Sequence, residues 1–299
     1  MYDFNAHIKE TLVNEYGGSG KKKTVILDDG NKYLLKFPNP VRKENGSLSY
    51  TNNALSEYIA SKIIKALGLP VQEVILGMYT DDKGISNIVC ACKDLRSPGE
   101  ILHTVQMILL SCTDGDISKE DSLRNIRRLA ESFKEIPAEE IMFFFYNMFV
   151  ADAFLGNPNR NNDKWAMITN TNGDVRISPI FGCSSSLFPL LSDEQLDIAD
   201  LPRESNRIVF AVADDDGRRI CYSDYILACE NYGVNAAVKR IVHRINMNEI
   251  RSIIDDIPCI TEKRKNFYKK FLELQYQKIL LPAYKKICAR DNIDMMKDL

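Results

Sequence analysis

A lysine stands inside an apolar run at Leu34-Leu35-Lys36-Phe37, and a glutamate follows at Leu55-Ser56-Glu57-Tyr58. A charge buried in such surroundings is costly unless paired, so the two residue types suggest a strand lysine held by a helix glutamate. The bland alternative is an edge-strand lysine and a surface glutamate. Ahead of both lies Tyr16-Gly17-Gly18-Ser19-Gly20-Lys21-Lys22-Lys23. Glycines let backbone N–H groups approach a phosphate, and lysines add positive charge. The GxxxxGK[ST] spacing of a Walker A loop is absent, and a flexible turn accounts for the stretch equally well. Two further stretches are dense in polar side chains: Asn157-Pro-Asn-Arg-Asn-Asn-Asp-Lys-Trp165 and Ser178-Pro-Ile-Phe-Gly-Cys-Ser-Ser-Ser186.

The elements that would carry these residues can be read from periodicity. Thr24–Asp28 and Lys32–Phe37 are short apolar runs around Asp29-Gly30-Asn31, a hairpin signal. Apolar residues at Leu55, Tyr58, Ile59, Ile63, Ala66 and Leu67 follow helical spacing, and Gly68 and Pro70 stop it. Val71–Tyr79 and Ser86–Cys92 read as strands. After Arg96-Ser-Pro-Gly99 the pattern predicts helices over Ile101–Ser111, Lys119–Lys134 and Ala138–Leu155. A strand–turn–strand follows at Trp165–Thr169 and Val175–Ile180, and helical periodicity returns from Ser223 to Arg290. A sheet-rich part before a helical part makes the fold class α+β and bilobal. The expected boundary near Lys93–Ser97 divides a small N-lobe, 1–95, from a larger helical C-lobe, 96–299.

Composition narrows the classes. The chain has 299 residues, and 39 basic against 41 acidic side chains leave a net charge of −2. That balance argues against nucleic-acid binding by the chain itself, which needs a basic footprint. No run of 18 apolar residues predicts a membrane span, and Met1–Glu10 lacks the apolar core of a signal peptide. Eight cysteines are scattered without a CxxC pair, which suits reduced thiols and a cytoplasmic setting. Three histidines lie far apart, so a His-rich metal site is not expected. Asp193–Asp216 is rich in acids and Thr261–Arg290 in bases, which reads as two solvated faces that could meet each other.

Taken together, the stretches resemble the HipA-like kinases of bacteria, most closely their CtkA-like branch. The resemblance runs from Tyr16-Gly-Gly18 through Leu35-Lys-Phe-Pro38, Ser56-Glu-Tyr58 and Val89-Cys-Ala-Cys-Lys-Asp94. It continues through Asn147–Trp165, Ser178–Pro189 and Asn235–Val242 to Lys265-Asn-Phe-Tyr268, which is most of the chain. It implies a protein-kinase-like fold and an ATP-dependent serine/threonine kinase activity. Gly17, Gly18, Ser19, Gly20, Lys36 and Glu57 then become candidates for nucleotide binding, in line with the lysine–glutamate pair of kinases. A serine in this glycine loop is autophosphorylated in some HipA-like kinases. At Ser19 a small loop residue is the favoured reading.

The resemblance also exposes departures. The family's loop resembles Gly-Asn-x-Asp-Arg-His-Asn-x-Asn-Trp, where the Asp orients the substrate hydroxyl and the later Asn binds magnesium. Here the base position holds Asn159, Asn161 replaces the His, Asn162 follows, and Lys164 stands at the metal-binding Asn. A second metal-binding Asp, in Pro-x-Tyr-Asp-x-Gly-Ser, is replaced by Gly182. An amide cannot take a proton at neutral pH, and losing a general base costs about 10²–10⁴ in rate. Magnesium is usually held by one or two carboxylates and the substrate phosphates, and neither Gly182 nor Lys164 supplies one. Magnesium is therefore doubtful, although Asp163 is a candidate for compensation. Alternatively the Lys164 ammonium neutralises phosphate directly. Asp152 reads as a structural hydrogen-bonding residue and Trp165 as a core anchor.

The expectation is a pseudokinase that works through nucleotide or protein-partner binding. The alternative is an active kinase, or another kinase-fold transferase, with a non-standard centre. A blander third reading is an interaction module indifferent to nucleotide.

Overall fold

A computed structural model describes residues 1–13, 20–42, 48–112 and 122–292. The chain opens with β1 (Tyr2–Asp3), a single helical turn α1 (Phe4–His7) and β2 (Ile8–Leu12). The expected hairpin is β3 (Lys22–Leu27) and β4 (Lys32–Lys36), turning at Gly30 with φ +76°. A short pair, β5 (Pro40–Arg42) and β6 (Leu48–Tyr50), precedes α2 (Asn53–Ala66). The strands β7 (Val74–Thr80) and β8 (Ser86–Lys93) complete a six-stranded sheet of order β1-β7-β8-β4-β3-β2. One face of that sheet buries Phe4, Val25, Leu27, Tyr33, Leu35, Phe37 and Val89.

Alternation in β8 sends Cys90 and Cys92 to the opposite face, beside Ala54 of α2. Their sulfurs lie 4.0 Å apart and both are buried. Helix α2 buries Leu55, Ile59, Ile63 and Ile64 at helical spacing and ends before Gly68 at φ +68°. The pattern of its apolar residues is thus what seats it against the sheet.

The helical part begins differently from expectation. Ile101–Thr104 is a strand, β9, and only Val105–Cys112 is helical, as α3. The reason is pairing: β9 lies antiparallel to β10 (Ala166–Thr169), with Thr104 opposite Ala166 and Ile101 opposite Thr169. A partner strand far along the chain outweighs local helical spacing. Helices α4 (Leu123–Ser132) and α5 (Ala138–Leu155) follow, and β11 (Val175–Ile177) pairs with β10 on its other edge.

The segment from Leu201 carries the short α6 (Leu201–Ser205) and a hairpin, β12 (Val209–Ala213) and β13 (Arg219–Cys221). Periodicity does not announce this hairpin. The helices α7 (Tyr222–Ala228), α8 (Tyr232–Arg244), α9 (Met247–Asp255), α10 (Glu262–Gln275) and α11 (Leu281–Asp291) close the fold, with a π-helical turn at Tyr276–Leu280 joining the last two. The centre is α5, whose Phe145, Met148, Phe149, Phe154 and Leu155 are buried in one large core with Trp165. Among the described residues no helix is long and apolar enough to cross a membrane.

The acidic and basic segments meet at one point. The Asp193 carboxylate takes hydrogen bonds from Arg264 Nε at 2.6 Å and Thr261 Oγ1 at 2.5 Å, while Lys263 Nζ reaches the Asp193 carbonyl. Asp215, in the same acidic stretch, pairs instead with Arg127 at 2.8 Å.

Candidate functional site

Strand register fixes the first part of the site. In the ladder Lys36 lies opposite Lys22 on β3 and Cys90 on β8, so all three side chains share the face that α2 covers. Glu57, on the buried side of α2, meets Lys36 there: Glu57 Oε2 is 3.0 Å from Lys36 Nζ. The glutamate is fully buried and the lysine side chain is 18% exposed. The other carboxylate oxygen accepts the Cys183 backbone N–H at 2.9 Å. Burial alone would raise the Glu57 carboxyl, but Lys36, the Cys183 N–H and Arg160 outweigh it and hold it below its ordinary range. Burial likewise acts to lower Lys36, and the neighbouring Cys92 and Glu57 overcome it, keeping the ammonium protonated.

The loop after α5 is shaped by two buried side chains. Helix α5 ends at Gly156 with φ +64°, where a Cβ would collide with Phe271 at 2.6 Å. Arg160, only 1% exposed, then turns inward. Its guanidinium grips Asp152 through Nε at 2.7 Å and Nη2 at 3.1 Å, and donates to the carbonyl of Lys164 at 2.7 Å and to that of Phe181. Asn157 donates its amide to the same Asp152 at 2.8 Å and accepts the Asn159 backbone N–H at 3.2 Å. Asn162 is buried and receives the Trp165 indole N–H at 3.3 Å. The loop is therefore a closed network that projects Asn159 into solvent, where its amide donates to Ser185 Oγ at 3.4 Å.

Lys164 and Gly182 are complementary. Gly182 has φ +72°, and a Cβ built on it would sit 3.0 Å from Lys164 Cδ. The lysine stem thus lies in tight contact with the point where a side chain at 182 would begin. Burial, followed by the positive charge of Lys36, pushes the Lys164 ammonium below its ordinary pKa, against the opposing influence of Glu57 and Asp163. Lys22 is lowered in the same way, by burial and then by Lys36 and Lys164. Asp163 lies in the turn Asn162–Lys164, is exposed, and accepts a hydrogen bond from Thr104 Oγ1 at 3.3 Å. Among the described residues no group of three or more His, Cys, Asp or Glu side chains forms a metal-binding cluster.

The fold thus gathers Lys36, Glu57, Lys164 and Gly182, and links Asn159 to the same segment through Ser185. Asn162 serves the loop's interior, and Asp163 is engaged with Thr104. Gly17, Gly18 and Ser19 lie outside the described residues. Gly20 lies just before β3, where a Cβ would press on Asn39 Oδ1 at 2.9 Å. Three participants are not singled out by sequence reasoning. Lys22 is one of three adjacent lysines, and only ladder register selects it. The Cys183 contribution is a backbone N–H, invisible to residue type. Arg160 leaves a faint trace, an arginine eight residues after an acid in the apolar last turns of a helix.

No protein-family model matches the chain. It is 32% identical over 279 residues to the serine/threonine-protein kinase CtkA of Helicobacter pylori strain J99, covering 90% of this chain and 83% of that one. The crystal structure of the Helicobacter pylori proinflammatory kinase CtkA superposes with a TM-score of 0.79 at 30% identity, over 91% of this chain and 97% of that one. A chain of the Shewanella oneidensis MR-1 toxin–antitoxin complex of HipA, HipB and operator DNA superposes with a TM-score of 0.61 at 15% identity, over 94% and 68% of the two chains. The last likeness is one of fold.

Proposed function

The chain belongs to the CtkA-like branch of the HipA-family kinases, and from that premise we propose that it is a pseudokinase: a nucleotide-facing kinase fold whose phosphoryl-transfer centre has been replaced. The carrying observation is the Lys164–Gly182 pair. Where the family's motifs place two magnesium ligands, this chain puts an ammonium whose stem covers a residue with no side chain. Magnesium demands hard oxygen ligands in near-octahedral array, and these residues do not fit it. Asn159 removes the base as well, which matters less, because phosphoryl transfer relies chiefly on positioning and charge stabilisation.

ATP is the ligand that the remaining parts suit. Lys36, oriented by Glu57, is the residue that would meet its phosphates, beside the Gly20 end of the glycine-rich stretch. With transfer lost, the output is binding, and a protein partner is the recipient we favour. The near-neutral charge speaks against nucleic acid, and the seven free thiols among the described residues are in keeping with the cytoplasm.

One observation favours a second reading. The Lys36–Glu57 pair is intact at 3.0 Å, as in an active serine/threonine kinase of the kind the relative's name describes. Incubation of the purified chain with radiolabelled ATP and magnesium separates the two. The pseudokinase reading expects no label on the chain itself or on casein, and a gain of label in the variant Asn159→Asp/Lys164→Asn/Gly182→Asp. Labelling by the unaltered chain, abolished by Lys36→Ala, would overturn it in favour of an active kinase.

A further inference from the structure

We infer that Lys164 is a built-in cation standing in for magnesium, so that the site around Lys36 and Lys164 binds metal-free ATP in preference to the magnesium complex of ATP. This deepens the pseudokinase reading, from which it takes the absence of a metal carboxylate, and adds a claim about the form of the ligand.

The first argument is steric. The Lys164 stem lies over Gly182, 3.0 Å from the point where a side chain would begin. A side chain at 182 would start in tight contact with the methylenes that carry the ammonium. The second is the pairing of charges around it. Arg160 is tied to Asp152 at 2.7 Å and Lys36 to Glu57 at 3.0 Å. Among the described residues none forms an ion pair with the Lys164 ammonium. Glu57 is committed twice, to Lys36 and to the Cys183 N–H, and Asp163 accepts from Thr104. The half-buried Lys164 therefore feels Lys36 and Arg160 against the pull of Glu57 and Asp163, with no direct ion pair of its own among the described residues.

The third argument concerns why such a cluster persists. Lys22 and Lys36 stand directly opposite each other in the ladder, an arrangement that is unfavourable between like charges. After burial, the charge of Lys36 disfavours protonation of both Lys22 and Lys164, and Lys164 adds to the effect on Lys22. A polyanion placed among them relieves that repulsion. ATP without metal brings the most negative charge. Its magnesium complex brings less, together with a hydrated dication that must approach an ammonium, where Glu57 and Asp152 are already paired and only the exposed Asp163, hydrogen-bonded to Thr104 at 3.3 Å, has an oxygen to offer. Charge-assisted hydrogen bonds from an ammonium to phosphate supply the attraction.

The test is calorimetric titration of the full chain with ATP, once in EDTA and once in excess magnesium chloride. Thermal melting of each variant without nucleotide checks that it is folded. Binding in EDTA is expected to be tighter by roughly tenfold or more, the worth of one hydrogen bond to a charged group. Lys164→Met keeps the stem over Gly182 and removes only the charge. It should weaken binding of metal-free ATP by about the same factor and erase the difference between the two conditions. Lys164→Arg should retain the preference. Equal or tighter binding in magnesium, unchanged binding by a folded Lys164→Met, or no binding in either condition would each overturn the inference. The pseudokinase reading stands or falls separately. Magnesium-tightened binding without label transfer defeats only the present inference, whereas transfer defeats the pseudokinase reading whichever form of ATP binds better.

Discussion

Glu57 and Cys183 are joined across 126 positions of sequence: the buried carboxylate accepts the Cys183 backbone N–H at 2.9 Å. The same carboxylate holds Lys36 at 3.0 Å. One side chain of α2 therefore ties the strand lysine to the residue that follows Gly182. Breaking a buried pair leaves an uncompensated charge and costs about 3–5 kcal/mol. Glu57→Ala is expected to destabilise the fold by that order, read from urea unfolding, and Glu57→Gln by less, because an amide oxygen still accepts the N–H. A loss under about 1 kcal/mol for Glu57→Ala, the scale of an exposed pair, would show the pair to be idle.

The same contacts set a pH window. The Glu57 carboxyl is lower in the folded than in the unfolded chain, so its contribution is full above the unfolded value of about 4.3. It fades as pH falls through the lower folded value. Lys36 is raised on folding, so its contribution is full below about 10.4 and is lost only as pH climbs through the raised folded value. The pair should stabilise the chain evenly between those limits. Urea midpoints measured from about pH 7 down to about pH 3 should fall less steeply in Glu57→Gln than in the unaltered chain, and parallel curves would contradict the assignment.

Arg160→Met should destabilise strongly, by about 3–5 kcal/mol, because it strands Asp152 in the core. Asp152→Asn in the same chain should recover part of that loss. The two substitutions touch one network and will not add, so a double-mutant cycle that came out additive would argue against the shared network.

Asn159→Asp alone should yield no measurable phosphoryl transfer. It restores the base, whose absence accounts for about 10²–10⁴ in rate, yet leaves Lys164 over Gly182. Transfer by this single variant, in the radiolabel assay with magnesium, would mean that the metal positions matter less than the base.

Asp193 binds Arg264 from a partly exposed position, with 33% of its side chain accessible against 2% for the arginine. Burial opposes ionisation of Asp193, but hydrogen bonds from Thr261 and Arg264 hold its carboxyl below the ordinary range. Asp193→Asn should cost about 2 kcal/mol, short of a fully buried pair because solvent screens the aspartate. Chemical denaturation reads this directly.

Legibility in the sequence follows the range of the forces involved. Helix α2 and the β3–β4 hairpin are readable because apolar spacing and a glycine turn are local signals. The helix expected over Ile101–Ser111 fails in its first four residues, where pairing with a strand more than sixty residues away decides the conformation. The β12–β13 hairpin is easily passed over because the buried alternation is only two residues long, Phe210 and Val212, between charged flanks. At the site, Lys36 and Glu57 can be picked out from side-chain type and order, whereas Asn159, Lys164 and Gly182 stand out only through the family resemblance. The fit of the Lys164 stem over Gly182 is legible in neither way, because it depends on how two loops meet.

Arg160 hangs the loop from Asp152 and from the carbonyls of Lys164 and Phe181, and none of those contacts uses the side chain at 159, 164 or 182. Architecture and reactivity are therefore written in different residues. Side-chain changes at 159 and 164 can alter the chemistry while every one of those contacts stays in place.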